Sequence, residues 1–334
     1  MTEFRRLPLS TGVTLNVAVA GDRANPAVIF LHGFPESHRT WREVAPRLEE
    51  EFFLVMPDQR GFAGSDKPEG VEQYRTERIV EDLIALADAL ELGRFTLVGH
   101  DWGGAVAWLA ALRHPDRIAR LVAINAPHPY VFQKSLFEDE AQRAASQYIT
   151  AFRNPMLEKG IEAMGHEAFY EKSFGGHADL ALVPAEEKAA YIEQWSAPGA
   201  LTAMLNWYRA IPLVTSARDE RRISLPVLVV WGDRDSALEA SLAEASAGLC
   251  DDVVVTHLPD AMAASRGDRA GQSTSHDVSR RHAETRRHGT RTSETDARRS
   301  LARAVSAQGH RGNGVARPGR KSLSDVGRTV ATCT

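Results

Sequence analysis

The first 260 residues alternate short, mostly apolar runs with longer amphipathic segments. The apolar runs predict buried strands at 27–31, 52–56, 95–98, 118–124, 226–231 and 253–258. An apolar–polar alternation over 13–19 predicts an antiparallel strand ahead of them. Apolar residues at helical spacing predict helices at 41–51, 78–90, 105–113 and 238–247. Strands that alternate with helices in this way predict a mainly parallel sheet with helices on both faces.

This alternation stops between residues 129 and 212. Segments rich in Ala and Glu there carry apolar residues at helical spacing, together with Tyr, Trp and Phe, and no strand-like run is found. The pattern predicts a helical insertion that forms a lid over the carboxyl edge of the sheet. We therefore expect an α/β core at 1–128 and 213–261, with a helical lid at 129–212.

The character of the chain changes after Ala261. Residues 262–334 contain no Phe, Trp or Tyr and are rich in Arg, Ser, Thr and Gly. From Ala261 onward 15 Arg and Lys stand against 6 Asp and Glu, a net charge of +9, which leaves −13 on the preceding residues of a chain whose total is −4. Such a segment cannot bury enough apolar surface to offset its ordering entropy, so we expect a disordered tail. It lacks the aromatic residues and motifs of a nucleic-acid-binding arm.

Composition narrows the setting of the protein. The 334 residues are 43% hydrophobic and 25% charged, which is ordinary for a soluble globular protein. Two cysteines cannot make a disulfide framework, which favours a reducing compartment. Neither a signal-peptide core nor a membrane-spanning apolar run is found, so we expect a cytoplasmic location and no membrane partner.

One stretch carries the chemistry: Gly99-His100-Asp101-Trp102-Gly103-Gly104, between the strand at 95–98 and the helix at 105–113. Such a strand–turn–helix lifts one side chain clear of the sheet, and this residue is usually a nucleophilic serine. Here it is Asp101. A serine that attacked a saturated carbon would leave a stable ether, whereas a carboxylate leaves an ester whose carbonyl water can attack. The sequence therefore predicts a nucleophilic aspartate.

Four motifs occur in one order: His32-Gly-Phe-Pro35, Asp58-Gln-Arg-Gly-Phe-Ala-Gly-Ser-Asp-Lys-Pro68, the Asp101 turn, and Trp231-Gly-Asp-Arg-Asp235. This series resembles the α/β-hydrolase fold family and, within it, the epoxide hydrolase branch next to the haloalkane dehalogenases. Ala63 stands where that family often has glycine. The resemblance implies an oxyanion hole from the backbone amides of Phe34 and Trp102, and a cis peptide bond between Phe34 and Pro35.

The resemblance also assigns side chains to the site. Asp235 is expected to orient a catalytic histidine, with Asp233 as the competing choice in a turn-rich segment. Tyr148 and Tyr208 match the two lid tyrosines of epoxide hydrolases, which would hydrogen-bond or protonate the alkoxide formed on ring opening. His32, Trp102 and Trp207 are expected to line the substrate site.

The histidine itself is not where the family has it. The last predicted strand is followed by Pro259-Asp-Ala-Met262, and His257 lies several residues too early. The Met262-Ala263 codons, read one base later, encode tryptophan, the kind of residue the family has after its histidine. We interpret the tail as the product of a shifted reading frame. Placing one of its histidines in the site would require ordering a floppy segment.

The resulting hypothesis is an epoxide hydrolase-like enzyme with no cofactor and no metal. It would open an epoxide to a diol through an aspartyl ester on Asp101, with slow ester hydrolysis. The resemblance implies a small apolar substrate, an epoxide or a haloalkane, and admits a homodimer. Two alternatives stay open: a haloalkane dehalogenase, with the Trp102 indole as one halide donor and Trp195 or Trp207 as the second, and a catalytically dead member of the family that binds a small molecule.

Overall fold

A computed structural model of the protein describes residues 2–175, 180, 183–211 and 222–259. Within these ranges eight strands form one sheet. They are β1 (Glu3–Pro8), β2 (Thr14–Ala20), β3 (Ala27–Leu31), β4 (Phe53–Pro57), β5 (Phe95–His100), β6 (Ile118–Ile124), β7 (Val227–Gly232) and β8 (Val253–Leu258). The strand order is β1-β2-β4-β3-β5-β6-β7-β8. β1 and β2 are antiparallel, and β3 to β8 are parallel to one another.

The central strands are continuous apolar runs because both of their faces are covered. Every residue of β4, β5 and β7 is buried, as expected for parallel strands packed on both faces. The helices of the core are α1 (Ala45–Leu48), α2 (Thr76–Ala89), α3 (Trp102–Arg113) and α11 (Ser241–Ala247), with 3-10 helices at His38–Trp41 and Val71–Tyr74. The predicted α/β-hydrolase architecture with a mostly parallel sheet is confirmed.

Seven helices of the described chain lie between β6 and β7. They are α4 (Pro129–Glu138), α5 (Glu140–Ala145), α6 (Gln147–Phe152), α7 (Leu157–Met164), α8 (His166–Phe174), α9 (Ala185–Ser196) and α10 (Ala200–Arg209). We call this group the helical insertion. Its existence agrees with the helical spacing in the sequence. Its division from the core at residues 129 and 212 stays a prediction, and the tail at 262–334 lies outside the described residues.

Two expectations for the N-terminal region were wrong. The helix predicted over 41–51 is only the four-residue α1, preceded by the 3-10 turn at His38–Trp41. Pro46 explains this, because proline has no backbone N–H to donate and is tolerated only in the first turn of a helix. Strand β1 was not predicted. It is an edge strand that pairs only with β2 in the sheet, and its side chains are mostly exposed, which hides the usual apolar signal.

Candidate active site

The proposed nucleophile stands at the junction of β5 and α3. Asp101 has φ +52° and ψ −121°, a backbone conformation that L residues rarely adopt. Its carbonyl accepts the Ala105 amide at 3.0 Å, and its own amide donates to the Ile124 carbonyl at 3.3 Å. The strained turn is held by the strand behind it and the helix in front of it. Strain of this kind is typical of functional sites.

Small residues are required around this turn because backbones approach closely. A Cβ added to Gly99 would lie 2.3 Å from the Gly103 carbonyl oxygen, and one added to Gly103 would lie 2.2 Å from that of Leu31. At Gly104 the added atom would lie 2.2 Å from the Ala126 Cβ. Each distance is far inside van der Waals contact, so α3 can pack this closely on β3 and β5 only with glycine at these positions.

The loop after β3 reaches the Asp101 carboxylate. The Phe34 backbone amide donates a hydrogen bond of 2.8 Å to Asp101 Oδ1, and the Phe34–Pro35 peptide bond is cis. Trp102, the other predicted amide donor, is the first residue of α3. The first backbone N–H groups of a helix have no hydrogen-bond acceptor within that helix, and the Trp102 amide is one of them. The two amides predicted to form an oxyanion hole therefore flank the turn from different elements.

His32 is fully buried beneath this loop. Its Nδ1 lies 2.8 Å from the Gly33 carbonyl oxygen, and its Nε2 accepts the Gln59 amide at 3.1 Å. Both ring nitrogens are thus used by backbone groups, and burial lowers the pKa of the imidazole. His32 ties the oxyanion loop to the loop after β4. Direct contact between His32 and the substrate stays a prediction. The hydrogen bonds of His32 are those of a residue that holds two loops together.

The two predicted tyrosines come together although 60 residues separate them in the chain. Their ring centroids are 6.1 Å apart at 85°. The Tyr208 ring contacts Phe34 at 5.1 Å and Trp102 at 5.2 Å, edge to face in both cases. Tyr208 therefore lies against both residues that flank the Asp101 carboxylate. The helical insertion supplies both phenols, from α6 and α10.

The indoles of two insertion tryptophans are already engaged. Trp207 Nε1 donates to the Arg60 carbonyl at 3.0 Å, and Trp195 Nε1 donates to the Pro35 carbonyl at 2.8 Å. Both side chains are almost completely buried. Each indole N–H has only one proton to donate. Trp207 packs on Trp102 at 5.5 Å, so its contribution to the site is apolar contact.

Asp235 lies in the turn after β7 and is half-buried. Its Oδ1 accepts the amides of Ala237 at 2.8 Å and Leu238 at 3.1 Å, and its Oδ2 accepts Asn125 Nδ2 at 2.9 Å. Burial raises the pKa of this carboxyl to about 6, and the hydrogen bonds oppose the rise. This environment holds the carboxyl group in one orientation, as the acid of a triad requires.

Asn125 is a site residue that sequence reasoning missed. It follows β6 with φ +40°, and it also accepts the Gly232 amide at 2.9 Å. It therefore fixes both the end of β7 and the Asp235 side chain. The available signal was its place at the carboxyl end of a central parallel strand, where polar residues of such sheets converge.

The competing acid, Asp233, is placed differently. Its Oδ1 lies 2.5 Å from His257 Nδ1, and His257 Nε2 lies 3.5 Å from Glu244. Burial lowers the pKa of His257, but the two carboxylates outweigh it and the net shift is upward. Asp233 and His257 thus form a hydrogen-bonded pair at the β8 edge of the sheet, while Asp235 is the acid that Asn125 holds. The placement favours Asp235 over Asp233 as the site acid.

A second buried histidine sits directly before the nucleophile. His100 Nδ1 is 3.5 Å from Glu36 Oε2, and both side chains are almost completely buried. Burial lowers the pKa of His100, but Glu36, Asp101 and Asp235 together raise it above its ordinary value. The carboxylates around His100 thus favour the charged form of its imidazole. Neither Glu36 nor His100 stood out in the sequence except by lying in or beside a motif.

Comparison with known proteins supports the fold described above. A family model for the alpha/beta hydrolase fold matches residues 26–262. An AB hydrolase superfamily protein of Bacillus subtilis (strain 168), YfhM, is 36% identical over 242 residues, which cover 72% of this chain and 85% of that protein. Epoxide hydrolase 3 of Xenopus tropicalis is 34% identical over 239 residues, which cover 70% of this chain and 64% of that protein. The chain thus spans slightly less than two thirds of that relative.

Solved structures give the same result. One of the novel epoxide hydrolases of the alpha/beta hydrolases superfamily in metagenomes from hot environments is 37% identical, with a TM-score of 0.71 over 78% of this chain and 92% of that one. The chain therefore belongs to the α/β-hydrolase fold family. Within that family it lies in the epoxide hydrolase-like branch, a group of hydrolase enzymes.

Two features are absent from the described residues: a helix that could cross a membrane and a cluster of metal ligands. None of the helices at 2–175, 183–211 and 222–259 combines the length and apolar character that a bilayer crossing needs. The same ranges hold no group of three or more His, Cys, Asp or Glu side chains arranged for a metal ion.

Proposed function

We propose that this chain opens a small apolar epoxide by attack of the Asp101 carboxylate. The observation that carries the proposal is the pair of Tyr148 and Tyr208, whose rings meet beside an aspartate placed at the nucleophile turn. A carboxylate nucleophile fits attack on saturated carbon, and two phenols fit the alkoxide that leaves when an oxirane opens. The epoxide hydrolases among the similar proteins support the same reaction.

The first step makes an ester. The Phe34 amide holds Asp101 Oδ1, so we assign the attack to Oδ2. A bond forms between Oδ2 and one oxirane carbon as the bond from that carbon to the ring oxygen breaks. The ring oxygen accepts hydrogen bonds from the Tyr148 and Tyr208 hydroxyl groups and takes the proton of one of them; the phenolate that remains regains a proton from solvent. The product is a hydroxyalkyl ester of Asp101 that contains every atom of the epoxide.

The second step requires water to attack the ester carbonyl. Negative charge then develops on Oδ1, the oxygen that the Phe34 amide already contacts, with the Trp102 amide as the second proposed donor. Water must lose a proton in this step, which in the family is the task of a histidine after the last strand. Pro259-Asp-Ala-Met262 offers none. We therefore propose that release of the diol is slow.

His257 does not replace that base in our account. His257 lies inside strand β8, before the strand's end, whereas the family's histidine follows the last strand. The imidazole is also engaged elsewhere: its Nδ1 pairs with Asp233 and its Nε2 lies 3.5 Å from Glu244, so both ring nitrogens are occupied at the β8 edge of the sheet. Asp235, held in place by Asn125, would then have no histidine to orient.

The haloalkane alternative is less well supported. A leaving halide needs two N–H donors. The Trp102 indole would be one, but the two candidates for the second, the indoles of Trp195 and Trp207, both donate to backbone carbonyls. Phe34, whose side chain has no donor, occupies the place where the dehalogenases commonly have an asparagine. A binding protein that has lost its chemistry would keep the aromatic pocket and show no covalent step.

Mass spectrometry of the intact protein after incubation with styrene oxide tests the proposal. We expect a mass increase equal to the whole epoxide, which forms with first-order kinetics and persists after free epoxide is removed. Rapid diol production without an accumulating adduct would show that another group supplies the base. Neither adduct nor diol, with a panel of epoxides and haloalkanes, would favour the binding protein.

A further inference from the structure

Phe152 occupies the centre of the aromatic cluster above Asp101. Its ring centroid lies 4.8 Å from that of Tyr208 at 66°, and 5.8 Å from that of Tyr148 at 65°. On another side it lies 5.1 Å from the ring of Phe34. One side chain thus touches both phenols and the residue whose amide holds the nucleophile.

Three elements of the fold bring these rings together. Phe152 follows Tyr148 by four residues on α6, so the two side chains lie on the same face of the helix. Tyr208 comes from α10, and Phe34 comes from the loop after β3. Edge-to-face contacts prefer defined ring angles, so a ring wedged between two phenols restricts the directions in which their hydroxyl groups point.

We propose that Phe152 is a positioning residue for epoxide opening, acting through Tyr148 and Tyr208. The inference rests on the proposed function. Phe152 itself has no group that can give or take a proton. It holds the two phenols so that both hydroxyl groups can reach one oxirane oxygen. Its contact with Phe34 holds them at a constant position relative to the oxyanion loop.

The test compares two alkylating reagents. Styrene oxide needs hydrogen bonds to its leaving oxygen, whereas benzyl bromide has a similar ring and a halide that leaves without help from a phenol. In the Phe152→Leu variant we expect adduct formation with styrene oxide to slow about 10-fold, and adduct formation with benzyl bromide to stay within about twofold. Tyr208→Phe should show the same selective loss.

Phe169→Leu is the matched control. Phe169 is a buried aromatic residue of the same helical insertion, and it packs on Trp195 at 5.1 Å, away from the tyrosines. We expect it to react with both reagents at the parental rates. If Phe152→Leu slows both reagents equally, or neither, the positioning role is wrong although Asp101 is still alkylated. If the parent chain reacts with neither reagent, the proposed function itself fails.

Discussion

A methyl group at position 33 should disable the nucleophile. A Cβ built on Gly33 lies 2.5 Å from the Asp101 Cβ and 2.7 Å from Oδ1, whereas carbon atoms in contact are roughly 3.5–4 Å apart. Gly33→Ala therefore forces the Asp101 side chain or the oxyanion loop to move by about 1 Å. Either movement breaks the 2.8 Å bond from the Phe34 amide to Oδ1.

The size of the effect follows from that geometry. A hydrogen bond to a carboxylate contributes about 1.5–3 kcal/mol, and a displacement of about 1 Å in an active site can cost about 100-fold in rate. We expect the rate of adduct formation with styrene oxide to fall about 100-fold in Gly33→Ala. The overlap should also lower the free energy of unfolding by about 1–3 kcal/mol.

Gly160→Ala is the control for this experiment. Gly160 lies within α7, and an added Cβ meets nothing within 4 Å. It should react at the parental rate and gain about 0.5–1 kcal/mol of stability, because alanine favours a helix more than glycine does. Adduct formation within threefold of the parent in a folded Gly33→Ala protein would refute the assigned contact between the oxyanion loop and Asp101.

Three further outcomes follow from the site. The raised pKa of Asp235, about 6 against about 4 for a free carboxyl group, favours folding at low pH. Its contribution is complete below about pH 4 and is lost as the pH rises through about 6. The stability of the parent relative to Asp235→Asn in urea should thus fall by about 2 kcal/mol between about pH 4.5 and 7.5, and a constant difference would contradict the burial argument. Added imidazole should speed adduct decay by acting as an external base, while His257→Asn should leave that decay unchanged; a faster or slower decay in the variant would reassign the base. Sequencing the gene across the codons for residues 260–264 should show that an alternative reading frame encodes a histidine followed by a tryptophan. If no alternative frame encodes these two residues, a shifted frame does not explain the tail.

The sequence predicted most of the core because buried parallel strands are continuous apolar runs. Residues 27–31 and 118–124 match β3 and β6 to the residue, and the glycines around Asp101 indicated the close packing of α3. Strand β1 was not predicted because most of its side chains are exposed. The helix before β4 was predicted too long because apolar spacing alone does not show the effect of Pro46. Local pattern reveals burial and period, and a strand as exposed as β1 carries neither signal, whereas the edge strand β8 kept its apolar run and was predicted.

The site was predicted only as far as local motifs reach. Asp101, Phe34 and Asp235 lie in recognisable turns, so their positions could be named. Asn125 acts across two strands, and the three contacts of Phe152 join α6, α10 and the loop after β3. Such contacts depend on tertiary packing, which one sequence does not specify residue by residue. The competition between Asp233 and Asp235 likewise needed the position of His257.

The measurement that tests the central claim most directly is peptide mapping of the protein after reaction with styrene oxide. We predict that the added mass lies on Asp101, in the peptide that contains His100 and Trp102, and that Asp101→Asn, which keeps the shape of the side chain, acquires none. Labelling at the same rate in Asp101→Asn, or a label on another residue of the parent chain, would contradict the assignment of this carboxylate as the nucleophile.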